Sequence, residues 1–248
     1  MYAIVLERRD FRENDQLITF YTKDSGKVDV LARGVKKIVS KNSANLEPFC
    51  FVDAEILQGK EMRILGSVQS INSFSNLRQD FKKILLAQFT VKMLSELTQE
   101  NLPDNKVFIF LYSWLNFLNE LSCVVNYITL LNSFTLKMSA LLGFLPQLNF
   151  CVHCPRRCYD GGNSWFFHFS GGGVLCENCK IKHFIQSKDL AFLGGIRNDM
   201  ITLIISKFSE VGSIENTENP EKVYKFIIRY LESFNEKEVS RVNLSFFV

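Results

Sequence analysis

Residues 2–34 are YAIVLERRDFRENDQLITFYTKDSGKVDVLARG, and this stretch predicts three consecutive β-strands. Short segments rich in Val, Ile, Leu and Phe are separated there by turn residues, which is the pattern of strands joined by tight turns. The predicted strands cover residues 2–9, 16–22 and 27–34. The turn at Lys23-Asp24-Ser25-Gly26 makes the last two strands a β-hairpin.

Two further predicted strands, residues 49–58 and 62–71, flank a turn at Gln58-Gly59-Lys60. Five strands of this length favour a small closed barrel, because closure removes the unpaired edges that invite aggregation. The five-stranded candidate is the oligonucleotide-binding barrel (OB-fold), and an SH3-like barrel is the structural alternative. We therefore predict an α+β protein with an N-terminal barrel domain at residues 1–75.

Helical periodicity replaces the strand pattern from Asn76 onward. Apolar residues three and four apart predict a helix that stops before Pro103, a second from Asp104 to about Leu121, and a third that ends at Gly143. After Cys179 the pattern predicts a short helix from Ser187 to Gly194-Gly195, then a helix around residues 199–208 and a last one from residue 220. Residues 76–248 thus form a predicted helical domain.

Four cysteines interrupt this domain, in two CxxC pairs at Cys151/Cys154 and Cys176/Cys179. A CxxC turn supplies two thiolates, and two such turns complete the tetrahedron that zinc prefers. The spacing predicts a structural zinc finger at about residues 150–180, with no open position for a catalytic water. Two redox dithiols or unligated thiols are the alternatives, and neither explains the paired spacing.

Three nearby side chains offer further metal donors: His153, Cys158 and His168. The four-cysteine set is complete without them, so we interpret His153 as a surface residue and Cys158 as a spare thiol. Seven cysteines, an odd number with four in metal spacing, favour the reducing cytoplasm over a disulfide framework.

The composition is that of a globular protein, with 47% hydrophobic and 22% charged residues. No run of 18 apolar residues occurs, so the sequence predicts no membrane span. The phosphate-binding patterns GxxxxGK[ST] and GxGxxG are missing, and so is the catalytic-serine pattern GxSxG. Together with only three histidines, all near the cysteines, this predicts a protein that is not an enzyme.

The strongest binding signal is a basic segment. The net charge is only +3, but residues 23–41 hold six basic residues against two acidic ones. Basic side chains on a barrel loop neutralise phosphates, and aromatic side chains such as Phe11, Phe20 and Tyr21 offer stacking platforms for bases. The alternative is a solvated loop on a barrel that binds something else. The predicted DNA-binding residues are Arg33, Lys36, Lys37, Lys41, Lys23, Lys27, Arg8 and Arg9, the last two with acidic residues interleaved.

Several motifs occur in an order that resembles the bacterial recombination mediator family RecO. The N-terminal part has D-x-x-E-x-D-x-L-x-T at residues 10–19, a Gly-Lys turn at 26–27, A-R-G-V-K-K at 32–37 and L-E-P-F at 46–49. Downstream, L-x-G-F-x-P-x-L followed by CxxC covers residues 141–154, and G-G-x-L-C-x-x-C covers residues 172–179. The resemblance runs to about residue 180.

This resemblance implies an OB-fold, a helical domain and a zinc finger in a cytoplasmic, nucleoid-associated protein. It implies binding of single- and double-stranded DNA, annealing of complementary strands, and cooperation with RecR to replace single-strand-binding protein by RecA. It also implies capture of the acidic tail of single-strand-binding protein, for which this chain offers Lys137, Phe134, Met138 and Leu141. The alternative function is a zinc-braced scaffold that binds only proteins.

Overall fold

The computed structural model describes residues 1–37, 40, 42–122, 126–158, 164–183, 188–211 and 219–233. Contacts within the chain divide it into two compact units: unit 1, residues 1–123, and unit 2, residues 124–248. The helices between residues 81 and 120 therefore belong to the same compact unit as the N-terminal strands. The functional division at residue 75 stays a prediction.

Unit 1 begins with the predicted five-stranded barrel. Its strands are β1 (Tyr2–Asp10), β2 (Gln16–Thr22), β3 (Gly26–Ala32), β4 (Phe51–Gln58) and β5 (Arg63–Asn72). The order around the barrel is β1-β2-β3-β5-β4, and β1 pairs with both β2 and β4. A short parallel pairing of Val30 and Leu31 with Arg63 and Ile64 closes it. This confirms the OB-fold.

The barrel interior is filled by alternate residues of each strand, as the period of two requires. In β3, Val28, Val30 and Ala32 point inward and are nearly inaccessible to solvent. Leu46, from a short 3₁₀ helix at Ser43–Leu46, adds to the same core. The strand β3 ends two residues before the predicted bound, because Gly34 adopts a positive φ of 63° and turns the chain.

Two helices complete unit 1: α1 (Phe81–Leu97) and α2 (Asn105–Glu120). The side chains of Asp80 and Asp104 accept hydrogen bonds from the first free N–H groups of these helices, which explains where each begins. The buried indole of Trp114 donates to the Thr90 hydroxyl at 3.0 Å and joins α2 to α1.

Unit 2 combines helices with a small antiparallel sheet. Its elements are α3 (Tyr127–Leu141), β6 (Trp165–His168), β7 (Gly173–Cys176), α4 (Glu177–His183), β8 (Leu190–Phe192), α5 (Ile196–Ile205), α6 (Phe208–Val211) and α7 (Pro220–Glu232). The helix α3 packs against α5, α6 and α7. The sheet, in the order β7-β6-β8, places Phe167 against Phe226 of α7 with ring centroids 4.8 Å apart.

One element of unit 2 contradicts the sequence prediction. The prediction of a helix before Gly194-Gly195 is wrong over Leu190–Phe192, because these residues form β8 and pair with β6. Pairing with a neighbouring strand satisfies the backbone groups that a helix of this length would leave unpaired at both ends. Ser187, its expected first residue, lies outside the described residues. No helix within the ranges that the structure describes is both long and apolar enough to cross a membrane.

Candidate nucleic-acid interface and metal centre

The candidate nucleic-acid interface is formed by two loops at one end of the barrel, residues 11–15 between β1 and β2 and residues 33–37 after β3. The backbone N–H of Gly34 donates to Asp15 Oδ1 at 2.8 Å, and the backbone N–H of Lys36 donates to the Asn14 carbonyl at 3.1 Å. Lys36 Nζ also donates to Asp10 Oδ2 at 2.9 Å. The basic loop is therefore fixed against the β1–β2 loop.

Between the two loops lies an open concavity of about 460 Å³, which we call the basic hollow. Its cationic side chains are Arg12, Arg33 and Lys37. Within the described part of the chain none of the three makes an ion pair. Glu13 and Asp15 also line it, and Asp15 is occupied by the Gly34 N–H. Three basic side chains are thus available to a bound anion.

The fourth basic residue of this region, Lys36, is held differently. Its ammonium group pairs with Asp10, which also accepts a hydrogen bond from Gln16 at 3.0 Å. The hydrogen bond from Gln16, followed by that from Lys36, lowers the pKa of Asp10, so this carboxylate stays ionised at neutral pH. Lys36 therefore helps to hold the loop as well as adding positive charge.

The other predicted DNA-binding residues that the structure describes, Lys23, Lys27, Arg8 and Arg9, do not line the basic hollow. Lys23 lies in the turn at the far end of the β2–β3 hairpin, about 20 Å away for seven-residue strands. Lys27 donates to the carbonyls of Ser95 and Thr98 at the end of α1. Arg8 pairs with Glu47 and Arg9 with Asp29. Lys41 lies outside the described residues. The sequence grouped these cations by proximity along the chain, which strand folding does not preserve.

The three aromatic residues predicted as stacking platforms also differ in their exposure to solvent. Phe20 and Tyr21 are buried, at 0% and 1% exposure, whereas Phe11 on the β1–β2 loop is 42% exposed. The guanidinium of Arg12 lies over the Phe11 ring, 5.2 Å from its centroid. Strand alternation does not predict whether Phe11 is buried or exposed, because Phe11 follows the last residue of β1.

The candidate metal centre consists of Cys151, Cys154, Cys176 and Cys179, whose sulfur atoms all lie within 4.8 Å of one another. Cys176 is the last residue of β7 and Cys179 lies in the first turn of α4, while the other two are in the turn that follows Phe150. Strand and helix thus bring together cysteines separated by more than twenty positions. Four sulfur donors in this arrangement are able to hold one tetrahedral metal ion.

Close backbone packing supports the first cysteine turn. Val152 donates its N–H to the Val174 carbonyl at 2.9 Å, which ties the turn to β7. A Cβ atom on Gly173 would approach the Gln147 carbonyl oxygen to 2.6 Å, so only glycine permits this contact without movement. Gly173, the second glycine of the G-G-x-L-C-x-x-C motif, is therefore explained by packing next to the first cysteine turn.

The thiols compete for ionisation. Burial opposes ionisation of Cys151, but the backbone N–H groups of Cys176, His153 and Cys154 outweigh it and lower the pKa of Cys151 to about 7. Burial, together with the neighbouring thiols, raises the pKa values of Cys176 and Cys179. The thiolate of Cys151 is thus favoured and those of Cys176 and Cys179 are disfavoured, whereas a cation bound among the sulfurs would favour the thiolate form.

The remaining donor residues do not join the four sulfurs. His153 is exposed and its ring stacks on His183, with centroids 5.8 Å apart. The His168 ring lies 3.4 Å from the Asp189 carboxylate, measured from Nε2 to Oδ2. Cys158 is buried, with 4% exposure. Among the residues that can be described, the four-cysteine group is the one cluster suited to a metal ion.

The predicted partner-binding residues on α3 face the core of unit 2. Phe134 and Met138 have 0% exposure, and Leu141 is half-buried. Lys137 Nζ donates to the carbonyls of Ile204 and Ser206 at 2.7 and 2.6 Å, at the end of α5. Burial lowers the pKa of Lys137, and Glu210 opposes this shift. Tail capture by these four residues stays a prediction, and the contacts assign Lys137 to helix capping.

Substitution of Lys137 by methionine is expected to lower the free energy of unfolding of unit 2 by about 1–3 kcal/mol, since hydrogen bonds from charged groups contribute this much. Chemical denaturation measures the change. Lys225→Met, an exposed lysine on α7, is the matched control and should leave stability unchanged. Equal stability of the two variants would contradict the capping role.

Two families of known proteins match successive parts of the chain. Residues 1–74 match the family described as Recombination protein O N terminal, and residues 78–183 match Recombination protein O C terminal. Proteins named DNA repair protein RecO are similar over most of their length. The relative from Thermoanaerobacter sp. (strain X514) is 28% identical over 95% of this chain and 92% of its own. The relative from Caldanaerobacter subterraneus subsp. tengcongensis is 30% identical over 77% of this chain and 76% of its own length.

A third relative, from Desulforamulus reducens, is 27% identical over 96% of this chain and 90% of its own length. The two family matches include the barrel and the four cysteines, in the order in which they occur in the structure. The chain therefore belongs to the RecO family.

Proposed function

We propose that the protein is a DNA-binding recombination mediator in DNA repair and that it acts without catalysing a reaction. It binds single- and double-stranded DNA, anneals complementary strands and, with RecR, helps to load RecA onto DNA coated by single-strand-binding protein. Family membership supports the role, and the name of the relatives, DNA repair protein RecO, supports its setting in repair. We propose that it works at the bacterial nucleoid.

The observation that carries DNA binding is the basic hollow. Arg12, Arg33 and Lys37 line one concavity on two loops that hydrogen bonds hold together. Cations held on a fixed backbone neutralise phosphates and release counterions without reading sequence. A small number of such contacts binds a strand weakly enough for its bases to search for a complement, which is what annealing requires.

We propose further that the four cysteines hold a zinc ion. Four sulfur donors suit zinc or an iron–sulfur cluster, and two CxxC turns are typical of structural zinc. With all four donors from the protein, the ion supplies a cross-link between the first cysteine turn and the β7–α4 segment. The metal then stabilises unit 2 and leaves no ligand position for a catalytic water.

Fluorescence anisotropy with a labelled oligonucleotide across a salt series tests DNA binding. Three or four neutralised phosphates predict a slope of log K against log[salt] of roughly −2 to −3 for a single strand. A slope near zero, or no binding at low salt, would contradict the proposal. The protein would then be a zinc-braced scaffold that binds proteins alone.

A further inference from the structure

Phe11 is an exposed aromatic residue next to the basic hollow. It is not part of the barrel core, so packing of that core does not explain an aromatic residue at this position. It follows β1 directly, in the loop that supplies Arg12 to the hollow. The barrel residues Phe20 and Tyr21 are buried, whereas Phe11 remains 42% exposed. Phe11 therefore offers a flat apolar surface beside three cations.

The loop that carries Phe11 is held in a defined conformation. The backbone N–H groups of Phe11 and Arg12 both donate to the Asp15 carbonyl, at 3.2 and 3.4 Å. The Asp15 side chain in turn accepts from Gly34 in the basic loop. These bonds hold the backbone of Phe11 in a fixed position relative to the basic loop, and the Arg12 guanidinium lies over the Phe11 ring. A ligand that stacks on Phe11 loses little energy to loop ordering.

We propose that Phe11 stacks against a base of single-stranded DNA whose phosphates occupy the basic hollow, so that this site selects single strands over duplex. The inference rests on the proposed function. Phosphates are common to both forms of DNA, but a free base face is not. In a duplex each base is stacked between its neighbours and cannot reach an aromatic ring, whereas in a single strand it can.

This selectivity has a consequence for annealing. When two strands pair, the base that contacts Phe11 is withdrawn into the new duplex, while the phosphate contacts remain. The product is then held by electrostatic contacts alone and dissociates faster than either substrate strand. Phe11 would therefore favour exchange of the annealed product for a new single strand, because it strengthens binding of the substrate and leaves binding of the product unchanged.

The test compares Phe11→Ala and Phe11→Trp in the full-length protein, with a single-stranded oligonucleotide and the matching duplex as probes. Loss of one base–aromatic stack is expected to weaken single-strand affinity of Phe11→Ala by about 5- to 150-fold. Duplex affinity should change less than about twofold, because phosphate contacts carry it. Phe11→Trp keeps an aromatic ring and should bind the single strand about as tightly as the wild type. The control is Phe81→Ala, an aromatic of the same unit with 64% exposure, which should change neither affinity.

Each other outcome overturns the inference in a distinguishable way. Equal losses for single strand and duplex in Phe11→Ala would mean that the ring only holds the loop. Unchanged affinities for both, together with loss of binding when Arg33 and Lys37 are reversed in charge, would remove the stacking role and keep DNA binding by the hollow. Unchanged binding in every variant would remove the proposed function as well.

Discussion

Substitution of Cys176 by serine is expected to abolish metal binding and to unfold the small sheet of unit 2. Cys176 ends β7, is 1% exposed, and its backbone N–H donates to Cys151 Sγ at 3.4 Å. Structural zinc contributes about 10 kcal/mol or more in zinc-finger peptides, which is comparable with the whole stability of a typical domain. Metal content per chain and thermal unfolding measured by circular dichroism report the two effects.

Cys158 provides the matched control for this experiment. It is a buried cysteine of the same region, 4% exposed, but it is not one of the four clustered sulfurs. Cys158→Ser should keep one metal ion per chain and most of the stability of the wild type. A Cys176→Ser protein with normal metal content and an unchanged melting temperature would disprove the metal site.

The double substitution Arg33→Glu and Lys37→Glu is expected to weaken DNA binding by roughly 10- to 100-fold at low salt, since two phosphate contacts are lost and two acidic groups are added. Both residues line the basic hollow without an ion pair in the described ranges, so their loss costs the fold little. The salt slope for a single strand should become shallower by about 1.4. Anisotropy titrations against wild type measure both quantities.

Lys92→Glu with Lys106→Glu gives the same change in charge elsewhere in unit 1. Both lysines are exposed and lie on α1 and α2. These two substitutions should reduce DNA affinity only slightly, because they act only through the overall electrostatic field of the protein. If the two double variants lost affinity equally, net charge rather than the hollow would be responsible, and the assigned interface would be wrong.

Local patterns predicted most of the elements. Asp104, the predicted start of the second helix, caps α2, and this cap depends on residues within one helical turn. The strands of the barrel followed from alternation and turn residues, and the closed order confirmed their assembly. These features are visible in sequence because they depend on neighbours along the chain.

Residues whose role depends on distant partners were predicted less well. The sequence of α3 marks Lys137 as a cation among apolar residues, but its partners are carbonyls more than sixty positions away. Lys27 was grouped with the basic loop because it is close to it along the chain, but its ammonium group donates to carbonyls at the end of α1. The three residues of β8 have no strand signal of their own and depend on pairing with β6.

The sequence by itself determined the barrel, the helices and the pairing of the two CxxC motifs, because strand alternation, helix caps and cysteine spacing are local properties. Tertiary structure alone decided which cations and aromatics share a surface. Arg12, Arg33 and Lys37 meet beside Phe11 because the ends of β1 and β3 lie together in the closed sheet. Lys23, nearer to Arg33 in sequence than Arg12 is, lies at the opposite end, because a strand carries the chain from one end of the barrel to the other.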